Sequence, residues 1–334
     1  TSTSNSYTGA TRINGGVLVV ASLANGGFNS SIGAAANTVG LLEFGGGTLR
    51  YTGTTAQSTD RLFTINTAGA TLDASGTGTG TMQWTNPATI SSGTGAGGRT
   101  LTLTGTNTGN NLLAGTLGNS SGGGLLSVVK SGSGAWILSG NNSYDGTTSV
   151  NAGLLIVNGN QSAANGNISI ADGATIGGSG TLGATVVSGV SAGNGTDVLT
   201  AGPVVTGDVG DSVGTLSFSS DATVSHVTWL VDLVQDANGI ADLINVNGAL
   251  TLNNVSLSLA TEGLFTPGNT YTIAQFTSLT GTFNSLAQGA FLSGYQISYG
   301  PTTITLTAVP EPSTLLSLTG LGALGLWWRR RKSR

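Results

Sequence analysis

The sequence predicts an all-β body of short strands stacked as a parallel β-solenoid, with a C-terminal tail that is apolar and then basic. Three observations carry this reading. The composition is rich in Gly, Ser, Thr and Asn, with only 7 % charged residues. Short apolar runs recur with a period of two along the body. One stretch of sixteen residues returns without gaps 137 positions later.

Composition removes whole classes first. Gly supplies 56 of 334 residues, more than twice the roughly 7 % usual in soluble domains. A helical bundle needs long Gly-free stretches of good helix formers, and none exists here. With no Cys, a disulfide scaffold, a zinc finger and a thiol enzyme all lack their atoms. Five of the ten basic residues lie in the last six positions, so residues 1–328 carry 5 basic and 14 acidic side chains, a net of −9. That leaves no basic patch for nucleic acid.

The strands follow from period and punctuation. Val17–Val20, Arg99–Thr104, Leu154–Val157, Asn167–Ile170 and Thr303–Thr307 are short runs, several alternating apolar residues with Ser or Thr. This is the signature of half-buried strands, and Gly, Asn or Asp bounds nearly all of them, as tight turns require. Disordered chains lack such β-branched runs.

The repeat selects the architecture. NSYTGATRINGGVLVV (5–20) aligns with NSYDGTTSVNAGLLIV (142–157), and SGSGAWILSG (131–140) precedes the second copy. The unit reads strand, turn, strand, turn, strand. It cannot bury a face alone, so its copies are expected to stack. Asn at repeated corners is expected to form side-chain ladders. A β-sandwich is the alternative, since strands 8–12 residues apart fit it too.

The segment GSGAWILSGNNSYDGTTSVNAGLLIVNG (132–159) resembles the autotransporter-associated β-strand repeat, with Trp136 where that family usually has Leu or another apolar residue. The flanks Ser58–Ile65, Gly69–Ser75 and Gly173–Leu182 resemble the same group. The resemblance implies a right-handed parallel β-helix in a large secreted surface protein. Because the first copy starts mid-motif and no signal peptide precedes it, the chain reads as the C-terminal piece of a longer exported precursor.

The tail gives the sharpest functional signal. Pro310, Glu311 and Pro312 are followed by 14 uncharged residues, Leu315 to Trp328, and then by Arg329, Arg330, Arg331, Lys332, Ser333 and Arg334. As a helix the apolar part spans about 21 Å, short of the roughly 30 Å hydrocarbon core. Snorkelling by Arg329 brings it near a marginal span. Leu315, Leu321 and Leu326 would lie in the membrane, Trp327 and Trp328 at the interface, and the cations on the cytoplasmic side. The competing reading, a terminal helix packed on the body, leaves no polar face for water. Pro-Glu-Pro, apolar segment and Arg cluster together resemble the PEP-CTERM sorting signal of Gram-negative bacteria. That resemblance implies processing by an exosortase near Val309 to Pro312, transient anchoring in the inner membrane, and delivery to the surface, often with exopolysaccharide. Pro310, Glu311 and Pro312 would be substrate determinants, not catalytic groups.

No catalytic, cofactor or metal constellation is read in the body. Glycoside hydrolysis needs two carboxylates at a defined separation, whereas here Asp208 and Asp211, and Asp232, Asp236 and Asp242, form only loose groups. His226 is read within one alternating strand, Thr223–Trp229, with no acid beside it in sequence. Two G-x-G-x-x-G patterns, at 93–98 and 178–183, precede β runs rather than a helix and read as turns. Asp236 to Asp242 lacks the oxygen spacing of a Ca²⁺ loop and reads as a hairpin turn.

Three segments result: a repeat solenoid over 1–199, terminal rungs and a β cap over 200–309, and the sorting segment, with a short hydrophobic helix, over 310–334. An open solenoid end exposes strand edges, so a cap is expected. Two function classes remain. One is a structural or adhesin-like surface protein. The other is a carbohydrate-binding or polysaccharide-degrading β-helix that uses Trp84, Trp136 or Trp229 as stacking platforms, although Trp136, in a repeat core strand, is expected to be buried.

Overall fold

In the computed structural model the described residues are 2–189, 196–202, 213–235, 239–263 and 266–309. All their regular structure is β, in strands of two to eight residues. The chain visits three faces in rotation. The first face is an eleven-stranded sheet running in chain order from Val17–Val20 through Thr48–Tyr51, Arg99–Thr104 and Thr148–Val150 to Ser278–Thr280, parallel at every step. The second runs from Gln57–Thr59 through Met82–Trp84, Ala135–Leu138 and Gly153–Val157 to Thr228–Gln235 and Ser256–Gly263. The third begins with Thr11–Ile13, Leu42–Phe44 and Thr64–Ile65, continues through Thr89–Ile90 and Thr116–Leu117, and becomes an eight-stranded sheet from Asn160–Gln161 onward. Single parallel bridges, Thr64 to Ser91 and Gly118 to Ser143, link its pieces. This is a parallel β-solenoid, and the sandwich alternative is set aside.

Each coil advances by as little as 19 residues, from Ile168 to Val187, or as many as 37, from Val186 to Thr223. Longer coils bulge at corners and leave the ladders in register. Inward side chains from the three faces form one core from Ile13 to Ala308. Within it Phe44, Phe63 and Trp84 of successive coils meet edge to face at 5.4 and 5.1 Å, a geometry that aromatic quadrupoles favour. Trp136 is buried, as expected, and its indole N–H donates to Thr104 O at 2.9 Å.

The repeat folds locally as read. The segments Ala135–Leu138, Thr148–Val150 and Gly153–Val157 are its three strands, and the third lies parallel on the first. The two copies do not stack on each other. The first places its strands on the third face and then the first, while the second uses the first face and then the second. The motif therefore encodes a strand-corner-strand module that serves at any corner of the prism. Its details recur: Tyr7 and Thr11 share a side-chain hydrogen bond of 3.0 Å, as Tyr144 and Thr148 do at 2.7 Å. Gly16 and Gly153 both turn the corner with positive φ, 67° and 66°.

Asn side chains tie coils together where ladders were expected. Asn111 accepts from Met82 N–H at 2.9 Å and donates to Ala135 O at 3.0 Å, so it touches a coil on each side. At an exposed corner Asn119, Asp145 and Asn165 of three coils are joined through the Asp145 carboxylate.

Toward the C-terminus the third sheet changes direction. Thr270–Gln275 pairs parallel with Leu243–Val246, but Thr303–Ala308 and Tyr295–Tyr299 join it antiparallel. The same segment carries Phe283 against Trp229, with ring centroids 5.4 Å apart. Residues Thr223 to Trp229 are not one strand. Ala222–Ser225 and Thr228–Gln235 lie on different faces, and His226 turns the corner between them with φ of 56°. The single-strand reading joined two alternating runs, Ala222 with Val224 and Val227 with Trp229, across a step of three residues that marks the corner.

A Cβ at Gly153 would lie 2.4 Å from Gly134 O of the preceding coil, and its φ is left-handed. Gly15 has open space and no such φ. Gly153→Val is therefore expected to destabilise the solenoid by at least about 1 kcal/mol, and Gly15→Ala by less than about 0.5 kcal/mol. Denaturant melts of the two variants check this, and equal midpoints would contradict it.

Candidate sorting signal and the polar groups of the body

The C-terminal strand Thr303–Ala308 lies between two antiparallel partners, Thr270–Gln275 and Tyr295–Tyr299. Its hydrogen bonding runs to the end of the described chain: Ala308 N–H donates to Asn269 O at 2.8 Å and Val309 N–H to Gly294 O at 2.9 Å. The next residue is Pro310, which has no N–H to continue a ladder. The sorting determinants Pro310, Glu311 and Pro312, the apolar positions Leu315, Leu321, Leu326, Trp327 and Trp328, and the cations Arg329, Arg330, Arg331 and Lys332 all lie outside the described residues. Among the described residues no helix is long and apolar enough to cross a membrane.

All five cations of the body are engaged. Arg12 and Arg50 face Glu43 and Asp73 across the ladder, each pair in direct register. The other three are buried and bind main-chain carbonyls. Arg61 donates to Ile32 O and Leu41 O, and Arg99 to Ile65 O and Gly97 O. Lys130 donates to Ser131 O, Gly132 O and Ala152 O at 2.7–2.9 Å. Burial lowers the Lys130 ammonium to about 8. Their burial carries no mark in a single sequence, because it is set by carbonyls that other parts of the chain bring to them.

Two of the acidic groups meet in the fold. Asp232 and Asp242, ten residues apart, come together where Thr228–Gln235 and Ile240–Ala241 pair antiparallel, as the hairpin reading requires. Asp236, Asp208 and Asp211 lie outside the described residues. Asp242 accepts from Gly214 N–H at 2.9 Å, Asp232 N–H at 3.2 Å and the Thr200 hydroxyl at 3.4 Å. Burial, and then the nearby Asp232 carboxylate, raise its carboxyl to about 7 against those bonds. His226 has Asp197 near it in space, though not in sequence. Burial is the main cause that raises the Asp197 carboxyl, and His226 opposes it. Among the described residues no group of three His, Cys, Asp or Glu side chains is placed to hold a metal ion.

Trp84, Trp136 and Trp229 are all buried in the core, so none offers a ring to a sugar. The glycine pattern at 93–98 leads into the strand Arg99–Thr104, as the turn reading expects, whereas the pattern at 178–183 itself contains the short strand Thr181–Leu182. Missed by sequence reading is a continuous outward row on the first sheet, in which Thr71, Thr102, Val129, Ser149, Ser169 and Ser188 stand in direct register on successive coils. The row is uncharged, and Ser169 donates to Ser149 at 3.3 Å.

Comparison with known proteins agrees with both parts of this picture. The Passenger-associated-transport-repeat family profile matches residues 1–20 and 128–157, and the PEP-CTERM protein-sorting motif matches residues 308–332. A 139-residue stretch is 41 % identical to the adhesin BmaC autotransporter of Brucella suis biovar 1 (strain 1330). That stretch is 41 % of this chain and 4 % of the Brucella protein, so the chain spans a small part of that relative. The chain thus carries the autotransporter-associated repeat on a parallel solenoid and a PEP-CTERM motif that begins within its last strand.

The Asp242 carboxyl carries a proton in the folded chain at pH values where the unfolded one, ordinarily near 3.8, has lost it. Its contribution to stability is therefore present below about pH 4 and is lost as pH rises toward about 7. Asp242→Asn removes this titration, so the melting temperature of the variant relative to the parent should rise between pH 5 and pH 8. A difference that stays constant over that range would contradict the assignment.

Proposed function

We propose that this is an exported bacterial surface protein of structural or adhesin-like role, sorted through its C-terminal PEP-CTERM signal. One observation carries the reading: the sorting motif starts at Ala308, the residue where the last strand of the solenoid ends. Relatedness to an adhesin autotransporter supports the surface role. In this reading residues 1–199 form the repeat solenoid, coiled in the right-handed sense, residues 200–309 the terminal rungs and β cap, and residues 310–334 the sorting and anchor segment.

The sequence of events follows from physical chemistry. During export the apolar segment from Leu315 to Trp328 forms a short helix and halts in the inner membrane, because Arg329 to Lys332 resist leaving the cytoplasmic face. Pro310 and Pro312 keep the chain extended and free of sheet partners just outside, so an exosortase-type enzyme binds its backbone as a strand. Cleavage there parts the anchor from the body, which passes to the cell surface or extracellular matrix.

The body itself acts as a non-catalytic stalk that takes up no cofactor and no nucleic acid. An association with exopolysaccharide is supported by the uncharged hydroxyl row on the first sheet, a surface that repels neither neutral nor charged glycans. The buried indoles weigh against a carbohydrate-binding or polysaccharide-degrading reading built on aromatic platforms.

Two experiments test this. Intact mass of the protein recovered from the cell surface should end near residue 310, and Glu311→Ala should leave the full-length chain in the inner membrane. A surface form that retains residues 313–334 would overturn the sorting reading. Purified body on a panel of acidic and neutral polysaccharides should show no turnover. Turnover abolished by substituting a single Asp or Glu would make it an enzyme.

A further inference from the structure

The outward row on the first sheet has a neighbour. Its members Thr102, Val129, Ser149 and Ser169 stand in direct register on four successive coils. Two residues earlier on each coil are Thr100, Ser127, Thr147 and Asn167. Thr100 and Ser127 are in direct register. The carbonyls of Thr147 and Asn167 accept from Val128 N–H at 2.9 Å and Thr148 N–H at 3.0 Å, which carries the ladder through them. The four coils thus present a grid, two columns wide, of small side chains that are half-buried or exposed. Arg99 and Lys130, the charged residues of these four strands, are buried.

The grid is turned to water. Ser169 donates to Ser149, but the hydroxyls of Thr100, Thr102, Ser127 and Thr147 have no hydrogen-bond partner among the described residues. Each offers one donor and two acceptor positions. The second face has no such grid. Its outward row reads Ser58, Gln83, Leu112 and Ile137, a different size or polarity on each coil. On the first face the side chains repeat about every 4.8 Å across the strands and about every 6.6 Å along them. Water joined tetrahedrally by hydrogen bonds of about 2.75 Å forms a lattice that repeats about every 4.5 Å in one direction and about every 7.3 Å at right angles to it. The mismatch is about 0.3 Å per coil, or about 1 Å over four coils. Rotation about χ1 moves a hydroxyl oxygen further than that.

We propose that this face of the solenoid is an ice-binding surface, on which the hydroxyls and methyls of the grid take up positions of the crystal lattice. An open sheet has no walls to enclose a single molecule, but it meets, coil after coil, a partner that repeats as it does. The ladders fix the grid before binding, so no backbone freedom is lost on contact. The missing charge matters too, because a strongly hydrated ammonium would hold its water out of lattice positions. Val129 replaces one hydroxyl of the grid by a methyl and keeps the shape of Thr. The proposal goes beyond the exopolysaccharide association, which asks only that the surface be uncharged.

Slow freezing tests this. The full chain is frozen from dilute solution together with an ordinary soluble protein, and both are measured in the ice and in the remaining liquid. The chain should be enriched in the ice about tenfold or more over its companion, because a grid held at several points is released slowly. Thr100→Lys with Thr147→Lys, both at exposed positions, should abolish the enrichment and leave the melting temperature unchanged. Asn167→Lys, at a third exposed position, should do the same on its own. Ser58→Lys with Gln83→Lys, on the second face, should leave the enrichment intact. The proposal is overturned if the parent chain is excluded from ice as its companion is. If that chain still binds exopolysaccharide, the grid serves glycans alone and the surface reading stands without this one. It is also overturned if the first-face variants stay enriched, or if variants of both faces lose enrichment alike.

Discussion

The structure depends on one constraint, the fixed spacing of parallel strands joined by main-chain hydrogen bonds. Adjacent strands in a ladder lie about 4.8 Å apart, and here three ladders share one axis, so every corner must pass directly over the corner before it. Backbone then meets backbone. At one corner Gly140, Gly159 and Gly180 stand in a column, and a Cβ on the second or third would lie 2.1–2.3 Å from the carbonyl of the glycine behind it. Much of the high glycine content is the shape of these corners written along the chain.

The same spacing explains the scarcity of charge. A charged residue at an outward position repeats its neighbour's environment on the next coil, and like charges directly opposite are destabilising. Where the body does place charges outward in register, it alternates sign, Arg12 with Glu43 and Arg50 with Asp73. Its remaining cations turn inward and bind carbonyls left over where coil length changes, as Arg61 does at Ile32 and Leu41. Hydroxyls have no sign and stack without conflict, so Thr102, Ser149 and Ser169 fill the outward row.

What the sequence disclosed follows from how local each feature is. Strands such as Arg99–Thr104 and the corner at Gly153 were legible because period and turn chemistry lie within a few residues. The module over 132–159 was legible for the same reason. Which face a module occupies was not, since two copies that share nine of sixteen residues take different faces. The corner at His226 shows in sequence only as a slip of one residue, Val224 to Val227, between two alternating runs. The pairing of Asp232 with Asp242 and the inward turn of Lys130 depend on coils that are distant in sequence. Of the functional signals, the motif at the C-terminus was readable, because it is linear and its pattern lies within residues 308–332. The hydroxyl row was not, because it exists only once the coils are in register.

The bonds at the end of the last strand have a mechanical meaning. Val309 is held by Gly294, and its neighbour Ala308 by Asn269, at the end of an eight-stranded sheet that begins at Asn160–Gln161. Between that grip and the Pro-Glu-Pro segment there is no slack. A pull on the tail is therefore a shear on an antiparallel strand with a partner on each side. A cut beyond Val309 leaves a blunt end. Whatever is joined to that new terminus would hang from the rigid rod at a bond's length, with its orientation set by the sheet and not by a tether.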